Sequence, residues 1–357
     1  MVSRRAMLLA AAALASGRTR AQVQYPSVIP RPLIFPRDHG AHPDYRTEWW
    51  YMTGWLDGPS PIGFQITFFR TRTPIAPENP SPFAAKQLVI AHAAIADPAR
   101  ETLLHDERIA RTGFGAASAS TEDTDVLVDR WRLRRSPERG TYRGLINASA
   151  FTLELDVQPT QPLLLQGEAG YSRKGPLITQ ASYYYSQPHL SVNALITRNG
   201  RREERKGEAW LDHEWSSAVL ASEAAGWDWI GMNLDDGSAL TAFSIRSQRA
   251  ASAPLYAYAS LRMRSGRMQT YAPHEVRFST ITEWTSPRTR AKWPVAQQVR
   301  IGDRTFTTHP LMNDQELDSR QTSGAVYWEG ASRLLEDGKQ IGRGYLEMTG
   351  YVAPLRL

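Results

Sequence analysis

The stretch GEAWLDHEWSSA places three ionisable residues, Asp212, His213 and Glu214, between Trp210 and Trp215. Carboxyl and imidazole groups transfer protons in many enzymes, and tryptophans often line apolar cavities. A carboxyl group beside apolar rings keeps its proton to a higher pH, so it can act as a general acid near neutrality. The stretch is therefore a candidate for acid–base chemistry on an apolar compound.

If the stretch is a β-strand, alternation divides its charged side chains between two faces. Asp212 and Glu214 then share one face, and His213 lies on the other face with Leu211 and Trp215. One cavity could hold all three charged groups only if a bulge or a strand end intervened. His213 is then either a base or a core histidine with a satisfied N–H, and the motif is either a catalytic centre or a structural tie.

The stretch WDWIGMNL supplies a second candidate acid. As a strand it places Asp228 on the apolar face of Ile230 and Met232, while Trp227 and Trp229 point the other way. Burial on an apolar face raises the pKa of a carboxyl group, as a general acid requires. The alternative is an aspartate bonded to an arginine or to backbone N–H groups.

Aromatic residues are numerous, with 11 tryptophans and 14 tyrosines in 357 residues. Such rings fill a core or line the pocket of an extended apolar ligand. The residues that we predict to contact such a ligand are Trp50, Tyr184, Trp210, Trp215, Trp227 and Trp229.

Metal and cofactor motifs are weak. DHGAHPD offers Asp38, His39, His42 and Asp44, but prolines surround it and it reads as a loop, so we expect no metal there. The chain has no cysteine, no G-x-S-x-G elbow, and no phosphate-binding or dinucleotide-binding motif. We therefore expect no metal and no other cofactor.

The elements that must position these residues are mostly strands. FTLELDVQ and LSVNALITRNGR alternate apolar and polar residues, and Asn199-Gly200 is a hairpin signal. Residues 216–226 are the best candidate for a short helix. Trp50 with Gly54 and Trp227 with Gly231 share a spacing, and each pair precedes an Asp-Gly turn and a strand. These patterns predict an all-β protein of two related domains.

The first 21 residues have the layout of a secretory signal peptide. Arg4 and Arg5 precede an apolar run, residues 6–15, and Ala21 offers a small residue for cleavage. The paired arginines favour the twin-arginine route, and we expect a periplasmic or secreted protein. The net charge of +6 falls to +2 without the four arginines of this leader, which argues against a nucleic-acid partner.

Several long motifs resemble one family, the AttH-like/carotenoid 1,2-hydratase-like group, often labelled predicted secreted hydrolase. They are FPRDHGAHPDYRTEWWYMTGWL, GFQITFFR, QASYYYSQPHLSV, GEAWLDHEWSS, GWDWIGMNLDDGSALTAF and DQELDSR. The resemblance implies two packed lipocalin-like β-barrels, with ligand pockets within or between them. Relatives include hydratases that protonate an isoprenoid C=C and add water, and cyclases that shape polyene substrates.

The resemblance also implies roles for individual residues. The Asp-His of the hydratases falls on Asp212 and His213, their aromatic residue on Trp215, and a further aspartate on Asp228. This chain has a predicted leader, and it has Glu214 followed by Trp-Ser-Ser where the hydratases have Asn-Trp/Tyr-Gly. The carotenoid substrate is therefore not carried over.

The sequence predicts a leader over 1–21, an extended proline-rich arm over 22–44, and lipocalin-like domains over 45–218 and 219–357. We expect an extended isoprenoid-like or lipid-like ligand and acid–base chemistry on it, of the hydratase or hydrolase type. Asp212 or Asp228 would be the acid, and His213 would orient it or handle water. The alternative is a non-catalytic periplasmic lipid carrier or a partner of an envelope complex. A membrane surface or an envelope transport complex are the macromolecular partners left open, and the oligomeric state is not predicted.

Overall fold

The structure is a computed structural model that describes residues 23–249 and 253–356. The predicted leader, with Arg4 and Arg5, lies outside the described residues. The proline-rich arm has no regular structure from residue 23 until a short 3₁₀ helix at Arg37–His39. That helix carries Asp38 and His39 into the interior, so the arm closes against the first domain.

Within the described residues, thirteen strands make the first antiparallel sheet, in the order β4-β3-β2-β1-β13-β12-β9-β8-β7-β6-β5, with β10 and β11 beside β12. Their bounds are β1 (Thr47–Leu56), β2 (Ile62–Arg72), β3 (Gln87–Ala96), β4 (Leu104–Arg111), β5 (Ala117–Ala119), β6 (Asp125–Val128), β7 (Trp131–Arg135), β8 (Tyr142–Asn147), β9 (Thr152–Pro159), β10 (Leu164–Leu165), β11 (Tyr171–Arg173), β12 (Ala181–Arg198) and β13 (Arg201–Ser216). A second 3₁₀ helix is Pro98–Arg100.

Ten further strands of the described chain make the second sheet, in the order β17-β16-β15-β14-β23-β22-β20-β19-β18, with β21 beside β22. Their bounds are β14 (Ala224–Leu234), β15 (Ala239–Ser247), β16 (Tyr256–Arg262), β17 (Met268–Tyr271), β18 (Val276–Thr285), β19 (Lys292–Ile301), β20 (Arg304–Pro310), β21 (Glu316–Ser319), β22 (Ala325–Glu336) and β23 (Lys339–Thr349), and a 3₁₀ helix is Pro273–Glu275. The predicted all-β class with two packed barrels is confirmed.

The two sheets share one topology, because the first strand of each pairs with both the second and the last strand. The sequence comparison matched Trp50 to Trp227, and the structure shows that this match is one residue out of register. Leu56 and Leu234 are the last residues of β1 and β14, so Trp49 corresponds to Trp227 and Trp50 to Asp228. Since successive side chains alternate between faces, Trp50 and Trp227 point in different directions.

The predicted helix at residues 216–226 is wrong. β13 extends to Ser216, a loop follows, and β14 begins at Ala224, which pairs with Ser247. A helix this short gains little by itself, and strand pairing with tertiary contacts outweighs it. In the part of the chain that the structure describes, no helix is long and apolar enough to cross a membrane.

Each barrel encloses an apolar core, and a third cluster lies between the barrels. In β1, Trp50 and Met52 belong to the first core, whereas Tyr51 and Trp55 belong to the cluster between the barrels. The second core includes Ile230. Alternation in the strands thus gives each barrel an apolar inner face and an aromatic outer face against its neighbour.

Candidate active site between the barrels

A cavity of about 70 Å³ lies between the two barrels. One water needs roughly 10–15 Å³ by this measure, so there is room for several waters or one small ligand group. Its lining residues are Trp49, Tyr51, Thr67, Phe69, Lys174, Tyr184, Asp212, Glu214, Val219, Trp227, Trp229, Phe243, Ile245, Glu329 and Glu347. The walls are aromatic, and four carboxyl groups interrupt them.

The outer face of β13 brings the opening motif to this cavity. Asp212 and Glu214 line the cavity, and His213 points into the first barrel, as the alternation predicted. No bulge interrupts the pairing of this segment with β1, where Asp212 lies opposite Tyr51. The three ionisable groups therefore do not act in one cavity.

Asp212 is buried and lacks a cationic partner among the described residues. The hydroxyl of Tyr184 donates to Oδ2 at 2.6 Å, and Ser186 Oγ and Trp210 Nε1 donate to Oδ1, each at 2.6 Å. Burial raises the pKa of Asp212 to about 7, against these three hydrogen bonds, which favour the charged form. Both the acid and the carboxylate are thus accessible at neutral pH.

Tyr184 connects Asp212 to the opposite barrel. Its hydroxyl accepts a hydrogen bond from Trp229 Nε1 at 3.1 Å while it donates to Asp212. Trp229 in turn meets Tyr51 edge to face, with ring centroids 5.5 Å apart. The hydrogen bond of the acid thus crosses the contact between the barrels and depends on their packing.

A second acidic group faces Asp212 from the other barrel. Glu329 and Glu347 are opposite each other on β22 and β23, and Tyr51 donates to Glu329 Oε2 at 2.8 Å. Burial raises the pKa of Glu347 to about 8, and burial together with the nearby Glu347 raises the pKa of Glu329 well above its usual value. Glu329 is buried and Glu347 is half-buried, and two carboxyls this close do not both ionise at neutral pH, so the pair holds at least one proton.

The two acids are related by the internal repeat. Glu347 lies opposite Trp229 on the neighbouring strand, just as Asp212 lies opposite Tyr51. Counted back from the ends of β1 and β14, Tyr51 and Trp229 hold equivalent positions. Asp212 and Glu347 are therefore equivalent residues, one from each barrel, that face the same cavity.

Lys174 is the one ammonium among the residues that line this cavity. Its Nζ lies 3.1 Å from Glu214 Oε1, and it stands 4.4 Å from the ring centroid of Tyr184 and 4.3 Å from that of Phe243. Lys174 is 5% exposed. The lysine compensates the charge of Glu214 and leaves the other three acids without an ion pair within the described chain.

The structure places four of the predicted residues on the cavity: Asp212, Tyr184, Trp227 and Trp229. Trp210 is not among the lining residues, but its indole N–H donates a hydrogen bond to Asp212.

The structure places His213, Trp50 and Trp215 inside the first barrel instead. His213 stacks on Trp50 at 4.6 Å, and Trp215 stacks on His42 at 3.7 Å. Both histidines contact Glu48 Oε1, at 2.9 Å for His213 Nε2 and 2.7 Å for His42 Nδ1. This inner face follows from the strand period, because Leu211, His213 and Trp215 alternate with the cavity residues.

Glu48 is the centre of this inner network. Arg70 Nε donates to Glu48 Oε2 at 2.8 Å, and Asp38 Oδ1 lies 3.2 Å from His42 Nε2. Burial alone would raise the pKa of Glu48, but the charges of Arg70 and His42 hold it well below the usual range. Burial lowers the pKa of His213. The network ties the arm to β1 and β13.

The inner network also contains a set of possible metal ligands. The ligand atoms of His42, Glu48 and His213 lie within 4.8 Å of one another, and all three residues are buried. Glu48 Oε1 already serves both imidazoles, and the Arg70 guanidinium occupies Oε2. A metal ion would have to break these hydrogen bonds beside the positive charge of Arg70. The three residues therefore fit a structural hydrogen-bond network better than a metal centre.

Asp228 lies on the inner face of the second barrel, away from the cavity. Arg246 Nε lies 3.2 Å from its Oδ1, and the Tyr351 hydroxyl donates to the same oxygen at 2.9 Å. Burial raises the pKa of Asp228, and the charge of Arg246 acts against that rise. The structure thus shows the arginine-bonded arrangement that the sequence left as the alternative.

Sequence reasoning missed Glu329, Glu347, Lys174, Trp49 and Tyr51 as cavity residues. A signal was present in YWEGAS and YLEMTG, where a glutamate interrupts an apolar strand beside aromatic or branched residues. Alternation alone could not show that these two strands are neighbours, or that they face Asp212.

Comparisons with known proteins agree with this architecture. A family model described as AttH-like matches residues 26–351. A candidate AttH from Nitrosomonas europaea, solved as a crystal structure, is 52% identical, with a TM-score of 0.86 over 91% of this chain and 99% of its own. The family resemblance seen in the sequence motifs is confirmed.

Two more distant crystal structures share the fold. Kievitone hydratase from Nectria haematococca is 13% identical, with a TM-score of 0.68 over 92% of this chain and 96% of its own. CghA, solved with Sch210972, is 12% identical, with a TM-score of 0.55 over 94% of this chain and 98% of its own. Among curated proteins, no significant match to this chain is found.

Proposed function

The chain belongs to the AttH-like family, and from that premise we propose that it adds water to a C=C bond of an extended apolar molecule held between the barrels. One observation carries the proposal: Asp212, with its pKa raised to about 7, lines an aromatic cavity without a cationic partner in the described chain. Kievitone hydratase, which has the same fold, is by name a hydratase. The cavity would hold the reacting end of the ligand, and the remainder would extend outward.

The proposed reaction needs one proton donor and one water. The Asp212 carboxyl proton moves to one alkene carbon, the π electrons form the new C–H bond, and the other carbon becomes cationic. The rings of Trp227 and Trp229 face this positive charge and exclude bulk water. The oxygen of a water molecule then adds to the cationic carbon, and the proton lost by that water restores the Asp212 acid.

The Glu329–Glu347 pair supports the placement of that water. A pair that keeps a proton both donates and accepts hydrogen bonds, so it can orient a water in the cavity that it shares with Asp212. Asp228 and His213 do not line the cavity. We therefore assign the acid to Asp212, and we propose that His213 positions β13 through Glu48.

Incubation of the purified protein with a panel of prenylated or terpenoid alkenes in D₂O tests the proposal. We expect a product that is heavier by one water and carries one non-exchangeable deuterium on carbon. A carrier would use the same cavity, and it would return a stoichiometric, chemically unchanged ligand on extraction. Recovery of every bound alkene unchanged would therefore exclude the hydratase function and favour the carrier.

We also propose that the protein is exported by the twin-arginine route. Arg4 and Arg5 stand directly before the apolar run of the leader. Replacement of both by lysine is expected to leave the precursor in the cytoplasm, as measured by fractionation and immunoblotting. Undiminished export of that variant would contradict this route.

A further inference from the structure

The walls of the cavity form an aromatic box with a surplus of acids. Its seven aromatic members are Trp49, Tyr51, Phe69, Tyr184, Trp227, Trp229 and Phe243. Aromatic ring faces attract cations, and sets of such rings recognise alkylammonium groups in other proteins. A neutral alkene would use the rings, the acid Asp212 and a water at the Glu329–Glu347 pair, whereas a cationic group would use the rings and the carboxylate of that pair directly.

The protein already places one ammonium against this wall. Lys174 Nζ lies over the rings of Tyr184 and Phe243, and it pairs with Glu214 at 3.1 Å. Rings and a carboxylate therefore hold an alkylammonium group at one end of the cavity. The arrangement shows the type of charge that the wall stabilises when it is shielded from water.

The other end of the cavity has the same chemistry without a cation. Trp227 and Trp229 stand beside the Glu329–Glu347 pair, and within the described chain no lysine, arginine or histidine forms an ion pair with either glutamate. Buried acids are normally paired with a cation or hydrogen-bonded, because burial of an unpaired charge is costly. Here Tyr51 donates a hydrogen bond to one oxygen of Glu329, Trp227 hydrogen-bonds Glu347, and the two carboxyls face each other across the strands.

We propose that this end of the cavity binds a small alkylammonium group, with the charged nitrogen between the rings of Trp227 and Trp229 and the carboxyls of Glu329 and Glu347. The positive charge of the ligand would favour the carboxylate form of one glutamate, and that glutamate would release its proton. The volume of about 70 Å³ admits one such group but not a long chain. The inference goes beyond water addition and requires binding alone; in a catalytic cavity the bound ammonium would take the place of the water that the pair orients.

The experiment uses choline chloride and its neutral isostere, the alcohol in which carbon replaces the quaternary nitrogen. Binding to the mature protein is followed by tryptophan fluorescence and calorimetry at constant chloride. We expect choline to bind about tenfold tighter than the alcohol, because the rings attract the charged nitrogen in a site shielded from water and do not attract the neutral carbon in the same way. The nitrogen carries a fixed charge, so any pH dependence reports the protein.

The pH dependence has a defined sign. The groups that face the nitrogen are Glu329, Glu347, Asp212, Glu214 and Lys174, with the hydroxyls of Tyr51 and Tyr184. A cation binds the carboxylate form of the pair, so choline should bind more tightly as the pH rises from about 6 to about 9, and protons should be released. The alcohol should show no such rise.

Two variants with opposite expected effects on choline affinity are used, because misfolding could weaken binding but could not strengthen it. Glu347→Gln should weaken choline binding and reduce its pH dependence, whereas Lys174→Met, which removes the competing ammonium, should strengthen it. Glu204→Gln, at an exposed position of the first barrel, is the matched control and should change nothing. Equal binding of choline and the alcohol, or no change of choline affinity in the first two variants, would overturn the inference. Neither outcome bears on the deuterium assay.

Discussion

The variant Asp212→Asn is expected to fold like the parent and to add water to the alkene about 10²–10⁴-fold more slowly, the usual loss for removal of a general acid. Asparagine keeps the size of the side chain and can still bond Ser186 and Trp210, but it has no proton to give. Turnover and the thermal midpoint of unfolding should be measured together. Asp156→Asn, an exposed aspartate on β9, is the control and should change neither quantity.

The dependence of the parent's rate on pH tests the role of Asp212 as the acid independently. The folded pKa of Asp212, raised to about 7, means that the acid form predominates below that pH and is lost above it. The rate should therefore fall as the pH rises through about 7, and the residual activity of Asp212→Asn should lack this limb. A rate that rises through the same range would instead assign Asp212 as a base.

His213→Ala separates the site from the structural network. Because His213 bonds Glu48 inside the first barrel, its loss should lower the thermal midpoint, with activity falling only as the fraction of folded protein falls. If Asp212→Asn behaved in this way too, Asp212 would be a structural tie. If Asp212→Asn left both stability and turnover unchanged, the acid would lie elsewhere.

Arg70→Met is expected to cost about 3–5 kcal/mol of unfolding free energy, because it strands the buried carboxylate of Glu48. Arg70 is 1% exposed, and besides Glu48 it donates to the backbone oxygens of His42 and Tyr45. Urea titration at neutral pH measures the loss. Arg143→Met, at an exposed arginine whose nearest carboxylates lie 3.9 Å away, should cost little, as surface ion pairs do.

The loss of unfolding free energy in Arg70→Met should depend on pH, because it arises from the carboxylate of Glu48. In the parent, the pKa of Glu48 is held well below its usual range, so the stability that it contributes is present above the unfolded pKa and is lost as the pH falls. Without Arg70 the folded pKa rises, and protonation relieves the stranded charge. The difference in unfolding free energy between variant and parent should therefore become smaller at acidic pH. The double variant Arg70→Met/Glu48→Leu should recover part of the unfolding free energy lost in Arg70→Met. A deficit that is independent of pH and is not rescued would attribute it to lost packing.

Much of the architecture could be predicted from the chain itself. Strand alternation and Asp-Gly turns are local patterns, and they indicated an all-β protein with two related domains. The same period of two correctly separated Asp212 and Glu214 from His213, because neighbouring side chains in a strand point to opposite faces whatever surrounds them. The register of the repeat was off by one, because the match of Trp50 to Trp227 relied on residue type, whereas the strand ends at Leu56 and Leu234 match Trp50 to Asp228.

The chemistry of the acids was decided by tertiary structure. Asp212 and Asp228 look alike in sequence, as acids among tryptophans, but Asp228 has Arg246 beside it, whereas Asp212 lines the cavity and forms no ion pair within the described chain. A pKa depends on burial and on charges that approach within a few ångströms, and remote strands supply both. Glu347 is 135 residues from Asp212 in the chain and equivalent to it in the repeat, and only the packing of the two barrels brings them to one cavity.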